Sequence, residues 1–472
     1  MKQISKITVL LGMVLSLGVM AQDKPKEGSE NKEEKKEKLK ITGRVQFRGV
    51  SGQTDSVYSN GGRDFNSVDW NFRRVRLGAV YEGDFWGAVV DIRLENAMNK
   101  PYTVTTTKKD PVSGETYVTK VKDRDNKGQV QEANIWVNIP FMKSKLTGGQ
   151  QKVPFMREQI ESAARMEFTE RSMMAQAMTQ WEIGLKYDFH PLVLINKNLE
   201  HYMKVDLSMT NGHGSSIEGT GAKQSLTDTR AGTQPLLISP LYAWRVQIDP
   251  LGGFLKDGKE VDWVDGEEIF QKETKLSLGI AGVSISELYI SGTHNTYTRD
   301  VPNIELLNVQ TTESYGDNLT YKVAADQTSP GRPRLGLVGR TYDMTFITHG
   351  LYLNGAYTYY KGSASNNLRG YQGTVGYVLP IKGMHIMPVF RYDYMAGDFN
   401  HNGNIGDEET FRNYWVGVNL LARKHDLKLQ LMYQIQRDKL GTDPQTNNPS
   451  DMRNNIIYLQ AQANFSVGVK TQ

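Results

Sequence analysis

Six basic side chains recur at short spacing near the start of the chain: Lys40, Arg44 and Arg48, then Arg74 and Arg76, then Arg93. Guanidinium groups stay charged, bind oxyanions bidentately and are weakly hydrated, which suits repeated capture and release. All six fall on the polar member of a two-residue alternation. They therefore share one face of neighbouring strands and are candidates for lining a watery, anion-preferring passage. The carboxylates Glu82, Asp91, Glu95 and Glu132 are close enough in sequence to face them. That leaves open a weakly selective passage with a basic wall opposite an acidic one.

A second constellation is Asp398-Phe399-Asn400-His401-Asn402-Gly403-Asn404-Ile405-Gly406-Asp407-Glu408-Glu409. Asp398, Asn400, Asn402, Asn404 and Glu409 place oxygen donors at calcium-loop spacing, with Gly403 at the sharp turn. Only two of these donors are carboxylates, so affinity would be weak, and an Asn/Gly-rich hairpin loop fits the same residues. Calcium is the one cofactor this suggests; none is required. The eight histidines lack metal-ligand spacing, and neither a nucleophile–base pair nor a phosphate-cradling glycine loop stands out. Passage or binding is expected rather than catalysis. With 56 basic against 52 acidic residues, the balance argues against nucleic acid as a partner.

The elements that must position these residues are strands. Leu39, Ile41, Gly43, Val45, Phe47 and Gly49 alternate with Lys40, Thr42, Arg44, Gln46 and Arg48. About ten residues of such alternation cross a bilayer when tilted. The pattern recurs through Val75–Tyr81, Trp86–Leu94, Ala133–Ile139, Leu146–Lys152, Trp181–Phe189, Met203–Met209, Tyr242–Ile248 and Leu276–Gly282. It continues through Tyr342–Phe346, Leu351–Tyr359, Tyr371–Tyr377, Pro388–Tyr394, Tyr414–Leu420, Leu427–Ile435 and Leu459–Phe465. Sixteen candidates is an even number, as single-chain bacterial barrels have. Every second connection is short, and the intervening ones are mostly long. Leu251–Glu273 breaks that rule, which puts a neighbouring strand assignment in question, and Gly362–Asn366 is a short outer loop.

The fold class expected is all-β, a transmembrane antiparallel β-barrel of sixteen strands. A soluble β-sandwich also alternates, but its strands run to about five or six residues and it would not repeat ionisable groups on one set. Val75, Leu77, Val90, Ile92, Leu429 and Leu431 should face lipid, and Arg74, Arg76, Arg93 and Lys428 the watery side. Arg73 falls on the lipid parity unless a bulge near Phe72 switches faces. Aromatic residues gather near strand ends, as at Trp70, Phe85, Trp86, Tyr392, Tyr394 and Tyr414, where barrels carry interfacial girdles.

Residues 1–21 read as a secretory signal: Lys2 and Lys6, an apolar run Ile7–Val19, then small residues at Val19-Met20-Ala21. A short uncleaved anchor is the weaker reading. Residues 22–38 form a charged flexible periplasmic tail, with six lysines against six acids between Asp23 and Lys38. Beyond Val19 no run approaches the ~18–20 apolar residues of a transmembrane helix. The barrel is expected over 39–472, in the bacterial outer membrane with its lipid as partner.

Several segments resemble the phosphate-selective porin O and P family of outer-membrane channels. They are Phe72-Arg73-Arg74-Val75-Arg76-Leu77-Gly78, Gly148-Gly149-Gln150-Gln151-Lys152-Val153-Pro154-Phe155, Phe168-Thr169-Glu170-Arg171-Ser172, Thr210-Asn211-Gly212, Tyr342-Asp343 leading into Leu351–Tyr360, and the closing Leu459–Phe465. The order of these segments along the chain carries the likeness. The resemblance implies a trimeric sixteen-stranded channel with a basic lumen, taking phosphate or similar small anions. It also places Val153–Gln180 where sixteen-stranded porins tuck a constriction loop inward. Arg157–Met166 there has helix-forming composition, and an ordinary surface helix is the alternative. The loop's charges, Arg157, Arg165 and Arg171 against Glu158, Glu161, Glu167 and Glu170, make it slightly acidic. The rival functions are a weakly selective general porin and a surface receptor or adhesin whose outer loops act.

Overall fold

In the computed structural model of the protein, the described residues are 38–53, 65, 67–95, 103–109, 116–123, 129–176, 180–210, 240–256, 259–261, 268–270, 273–289, 334–362, 367–397, 409–442 and 449–470. The expected signal 1–21 and all of the tail but Lys38 lie outside them. So do Asp398, Asn400, Asn402 and Asn404 of the calcium-loop candidate, together with the side chain of Glu409.

Alternation of lipid-facing and lumen-facing side chains yields sixteen long strands: β1 (Lys38–Gln53), β2 (Asp69–Glu82), β3 (Trp86–Arg93), β4 (Gln129–Ile139), β5 (Ser144–Lys152), β6 (Trp181–Phe189), β7 (Met203–Thr210) and β8 (Leu241–Ile248). The second half comprises β9 (Lys275–Tyr289), β10 (Arg334–Thr348), β11 (Leu351–Gly362), β12 (Asn367–Tyr377), β13 (Met384–Gly397), β14 (Glu409–His425), β15 (Leu427–Thr442) and β16 (Pro449–Lys470). Each pairs antiparallel with its neighbours in sequence, and β1 pairs with β16 to close the ring. Closure leaves no unpaired edge, the condition for strands to sit in hydrocarbon. The protein is a transmembrane β-barrel of the outer-membrane kind.

The expected faces hold. Leu431 is 54% exposed on the outside, whereas Lys428 is 3% exposed on the inside. Arg73 is the exception that a bulge explains. The β1–β2 register slips between Gln46 and Phe47, which face Arg74 and Phe72 and leave Arg73 unmatched. One extra residue on β2 lets Arg73 and Arg74 both enter the lumen. Outside, Phe47 stacks on Trp70 at 5.4 Å between ring centroids.

The connections sort as short turns at one end and long loops at the other. His349-Gly350 and Lys382-Gly383 turn with positive φ at both residues, the geometry of two-residue hairpins. The long Leu251–Glu273 stretch does not undo a strand assignment, since β8 and β9 both stand. Instead it carries a small hairpin (Phe254–Lys256 with Lys259–Val261) and a turn, Glu268–Phe270, whose Ile269 is fully buried against barrel residues. The Asn96–Lys127 connection likewise holds a hairpin, Thr103–Lys109 with Thr116–Asp123.

Gly149 positions the start of the constriction loop. Its φ is +123°, and an added Cβ would lie 2.4 Å from the carbonyl oxygen of Ala133. Beyond this kink Gln150 donates to the Gln131 carbonyl on β4, and Gln151 to the Gly184 carbonyl on β6. Gly149→Ala therefore combines about 1–3 kcal/mol of backbone strain with a backbone clash. A lower yield of the heat-resistant folded band on unheated gels is expected; unchanged yield and melting temperature would contradict this role.

Candidate functional site

The buried apolar residues of this barrel lie inside it, where the β5–β6 connection packs against the wall. Val153, Phe155, Met156 and Met174 meet Leu241, Ala243, Ala281, Val283, Tyr360, Leu368 and Met395. Phe168 meets Tyr352, Val389 and Trp415. The inward-folded constriction loop is thus present. Its helix is shorter than expected, however: only Arg157–Ile160 is helical, with a second turn at Met173–Gln176.

The reason is that wall side chains replace helical hydrogen bonds. Gln46 donates to the Ala163 carbonyl, Gln462 to Ala164, Lys428 to Met166, and Asn419 and Gln430 to Glu167. An extended segment offers those carbonyls to the wall, whereas a helix would keep them internal.

Three ionic clamps complete the attachment. On β10, Asp343 accepts two hydrogen bonds from Arg245 of β8, at 2.6 and 2.7 Å, and a third at 3.3 Å from Arg157 of the loop. On β13, Arg391 pairs with Glu158 at 3.2 Å, and its guanidinium stacks near Phe168 and Trp415 at 4.5 and 4.9 Å. At the loop's far end Glu170 accepts from Arg73 at 2.7 and 2.8 Å and also from Arg48. Burial alone would push the Glu170 carboxyl up; Arg73, Arg74 and Arg48 outweigh it and hold it at about 2. The loop's acidic excess is thereby turned toward arginines of the wall.

This arrangement relocates the sequence-predicted ladder. Its five arginines point into the lumen, yet most are engaged there. Arg48 holds Glu170, and Arg44 bridges Ser162 of the loop at 3.1 Å and Asn464 of β16 at 3.2 Å. Arg74 is 4% exposed and donates to Gln46 at 2.9 Å. Arg93 pairs with Glu95 at 2.8 Å, and Arg76 lies 5.7 Å from the Trp181 ring. Lys40 is exposed near the short-turn end of β1.

The open space lies against other strands. A cavity of about 200 Å³ remains between the loop and the wall from β4 to β8, far above the roughly 10–15 Å³ that one water needs. Its cations are Lys145, Lys152, Arg157, Lys186, Lys204 and Arg245, and its carboxylates Glu132, Asp188 and Asp206. The register sets Lys145, Asp188, Asp206 and Arg245 in one transverse row across β5 to β8. Lys145 and Asp188 stand 3.9 Å apart. The lysines of β5, β6 and β7 went unremarked in the sequence, although Lys145, Lys186 and Lys204 sit on their strands' lumen parity; Lys152 has the parity of lipid-facing Leu146 and reaches the loop beyond the kink at Gly149.

No family model matches the sequence, and no curated protein matches it, so the porin O and P family remains a resemblance. Solved structures do match in architecture. The outer-membrane channel DcaP of Acinetobacter baumannii is 10% identical, with 93% of this chain and 100% of that one covered and a TM-score of 0.49. An anion-selective porin from Comamonas acidovorans is 9% identical, covers 91% and 100%, and scores 0.49. OmpT of Vibrio cholerae in a trimer form is 10% identical, covers 91% and 100%, and scores 0.48. At that distance neither selectivity nor assembly passes from them to this chain.

Proposed function

We propose that this protein is a passive outer-membrane diffusion channel for small hydrophilic solutes, with a modest preference for anions such as phosphate and similar oxyanions. The observation that carries this reading is the cavity beside the constriction loop, where six cations face three carboxylates. Two of those cations, Arg157 and Arg245, share the single carboxylate of Asp343, so the working excess is small and the preference should be graded rather than strict. Lysines of β5 to β7 supply the field that draws anions in, and the low-dielectric wall focuses it. Arg44, Arg48, Arg73 and Arg74 fix the loop that narrows the lumen.

Homotrimeric assembly is part of the proposal. The outer face of β16, β1 and β2 is rich in small and apolar residues, with Ala461, Ala463, Gly43 and Ala79 among them, and it would let barrels approach closely. Planar-bilayer recording under a potassium chloride gradient tests the function. A reversal potential of the sign set by chloride is expected. A cation-selective channel would overturn the anion reading, and a barrel that never conducts would favour a receptor or adhesin.

A further inference from the structure

The outer surface of the barrel is not uniform in charge. On ten strands, β1 to β9 and β16, the outward positions with described side chains carry no ionised group. On β10 to β15, apart from Lys424 in the short turn that ends β14, where φ is +51°, they carry five basic residues: Arg340, Lys361, Arg369, Arg412 and Arg437. No carboxylate occupies an outward position with a described side chain on those six strands.

All five lie toward the long-loop end, and on four strands the next outward residue inward along the strand is a tyrosine: Tyr342, Tyr359, Tyr371 and Tyr414. Two residues of strand span about 6–7 Å. The tyrosines interlock, Tyr371 with Tyr394 at 4.9 Å and Tyr392 with Tyr414 at 5.0 Å, as an interfacial girdle does. The cations therefore stand just above the hydrocarbon boundary, at the level of the outer leaflet's headgroups.

Their spacing is unfavourable without a counter-charge. Arg412 is directly opposite Arg437 across β14 and β15, and the same register row continues to Arg453 of β16. Like charges in directly opposed positions destabilise a sheet. Among the described residues no carboxylate pairs with either: Arg437 donates to Asn455 and to the Gln436 carbonyl, and Arg412 is exposed to its surroundings. Arg340 lies 5.6 Å from the Trp244 ring, which holds its guanidinium at the surface.

We infer that the outer face of β10 to β15 is a docking site for a phosphate-bearing lipid of the outer leaflet, its acyl chains on the apolar band below and its phosphates on the arginines above. Guanidinium pairs bind phosphate bidentately, and the chains would lie along Val416, Val418, Leu429 and Leu431, all well exposed on this side. This site does not depend on what the lumen conducts.

The test uses the full barrel in detergent micelles doped with lipid A, either in its bisphosphorylated form or with its phosphates removed, and reads retained lipid by native mass spectrometry. The bisphosphorylated form should be retained and the dephosphorylated form lost. Arg412→Gln with Arg437→Gln should weaken retention roughly thirty-fold, the weight of two surface cations on an anionic lipid. Arg412→Lys with Arg437→Lys should restore most of it, which separates charge from folding. Equal retention of both lipids, or unchanged retention by the glutamine pair, would overturn the inference. So would displacement by millimolar inorganic phosphate alone, which would mark a site for the free anion.

Discussion

Replacing Asp343 by asparagine is expected to release the constriction loop and raise single-channel conductance several-fold. The side chain of Asp343 is 1% exposed and is shared by two arginines, Arg245 on the wall and Arg157 on the loop. Asparagine keeps the size but removes the charge, which takes from two buried guanidiniums the carboxylate they share. Breaking a buried pair in this way costs about 3–5 kcal/mol. The wall cannot relieve that cost, because β10 is hydrogen-bonded along both edges. The loop can, by swinging Arg157 into the aqueous lumen. Trypsin should then cut after Arg157, Arg165 or Arg171 in the folded barrel, while the unmutated protein resists. Asp343→Glu keeps the charge and should retain most of the closure. Unchanged conductance together with unchanged trypsin resistance would show that the apolar packing of Phe155 and Met156 holds the loop without the clamp.

All sixteen strands were legible because a barrel imposes one simple rule on every crossing: apolar toward lipid, tolerant toward water. That rule also placed Leu429, Leu431 and Lys428 on their correct faces, and it made the fate of Arg73 conditional on a bulge, which the structure supplies. What the rule cannot show is who meets whom across the lumen. Arg157 and Asp343 are 186 positions apart, and Arg391 and Glu158 are 233 apart. No local pattern links such partners. The loop helix was overestimated for the same reason. Helix propensity is a local quantity, and it lost to five carbonyl-seeking side chains from β1, β14, β15 and β16. Gln46, Asn419, Gln430 and Gln462 carry no charge or motif that marks them in the sequence, yet they hold the loop's backbone. The arginine ladder was correctly placed on the inner face, but most of it serves attachment, and the cations that border open space lie three to five strands further on.

Neutralising Lys186 and Lys204 together should therefore change ion selectivity more than neutralising Arg44 and Arg76. A unit charge about 8 Å from a passing ion alters its energy by about 0.5 kcal/mol if the path is water-like, and by about 2 kcal/mol at an effective dielectric near 20. Lys186 faces the cavity with Thr147 and Ser208 as its cross-strand neighbours, and Lys204 faces Gln247. With both changed to glutamine, the cavity would keep Lys145 and Lys152 against Glu132, Asp188 and Asp206, besides the two arginines held by Asp343. Counting Asp343 with its two arginines, four cations would then face four carboxylates, so the local field should lose its preference for anions and the chloride-to-potassium permeability ratio should fall toward one. Arg44→Gln with Arg76→Gln removes the same formal charge, but Arg44 is bonded to Ser162 and Asn464. That pair should mainly add noise to the open channel as the loop loosens, with a smaller shift in reversal potential. Both differences should shrink in 1 M salt, where the Debye length is about 3 Å. If the arginine pair proves to shift selectivity as much as the lysine pair, solutes reach the ladder behind the loop, and the anion path runs along β1 and β2 rather than along β5 to β7.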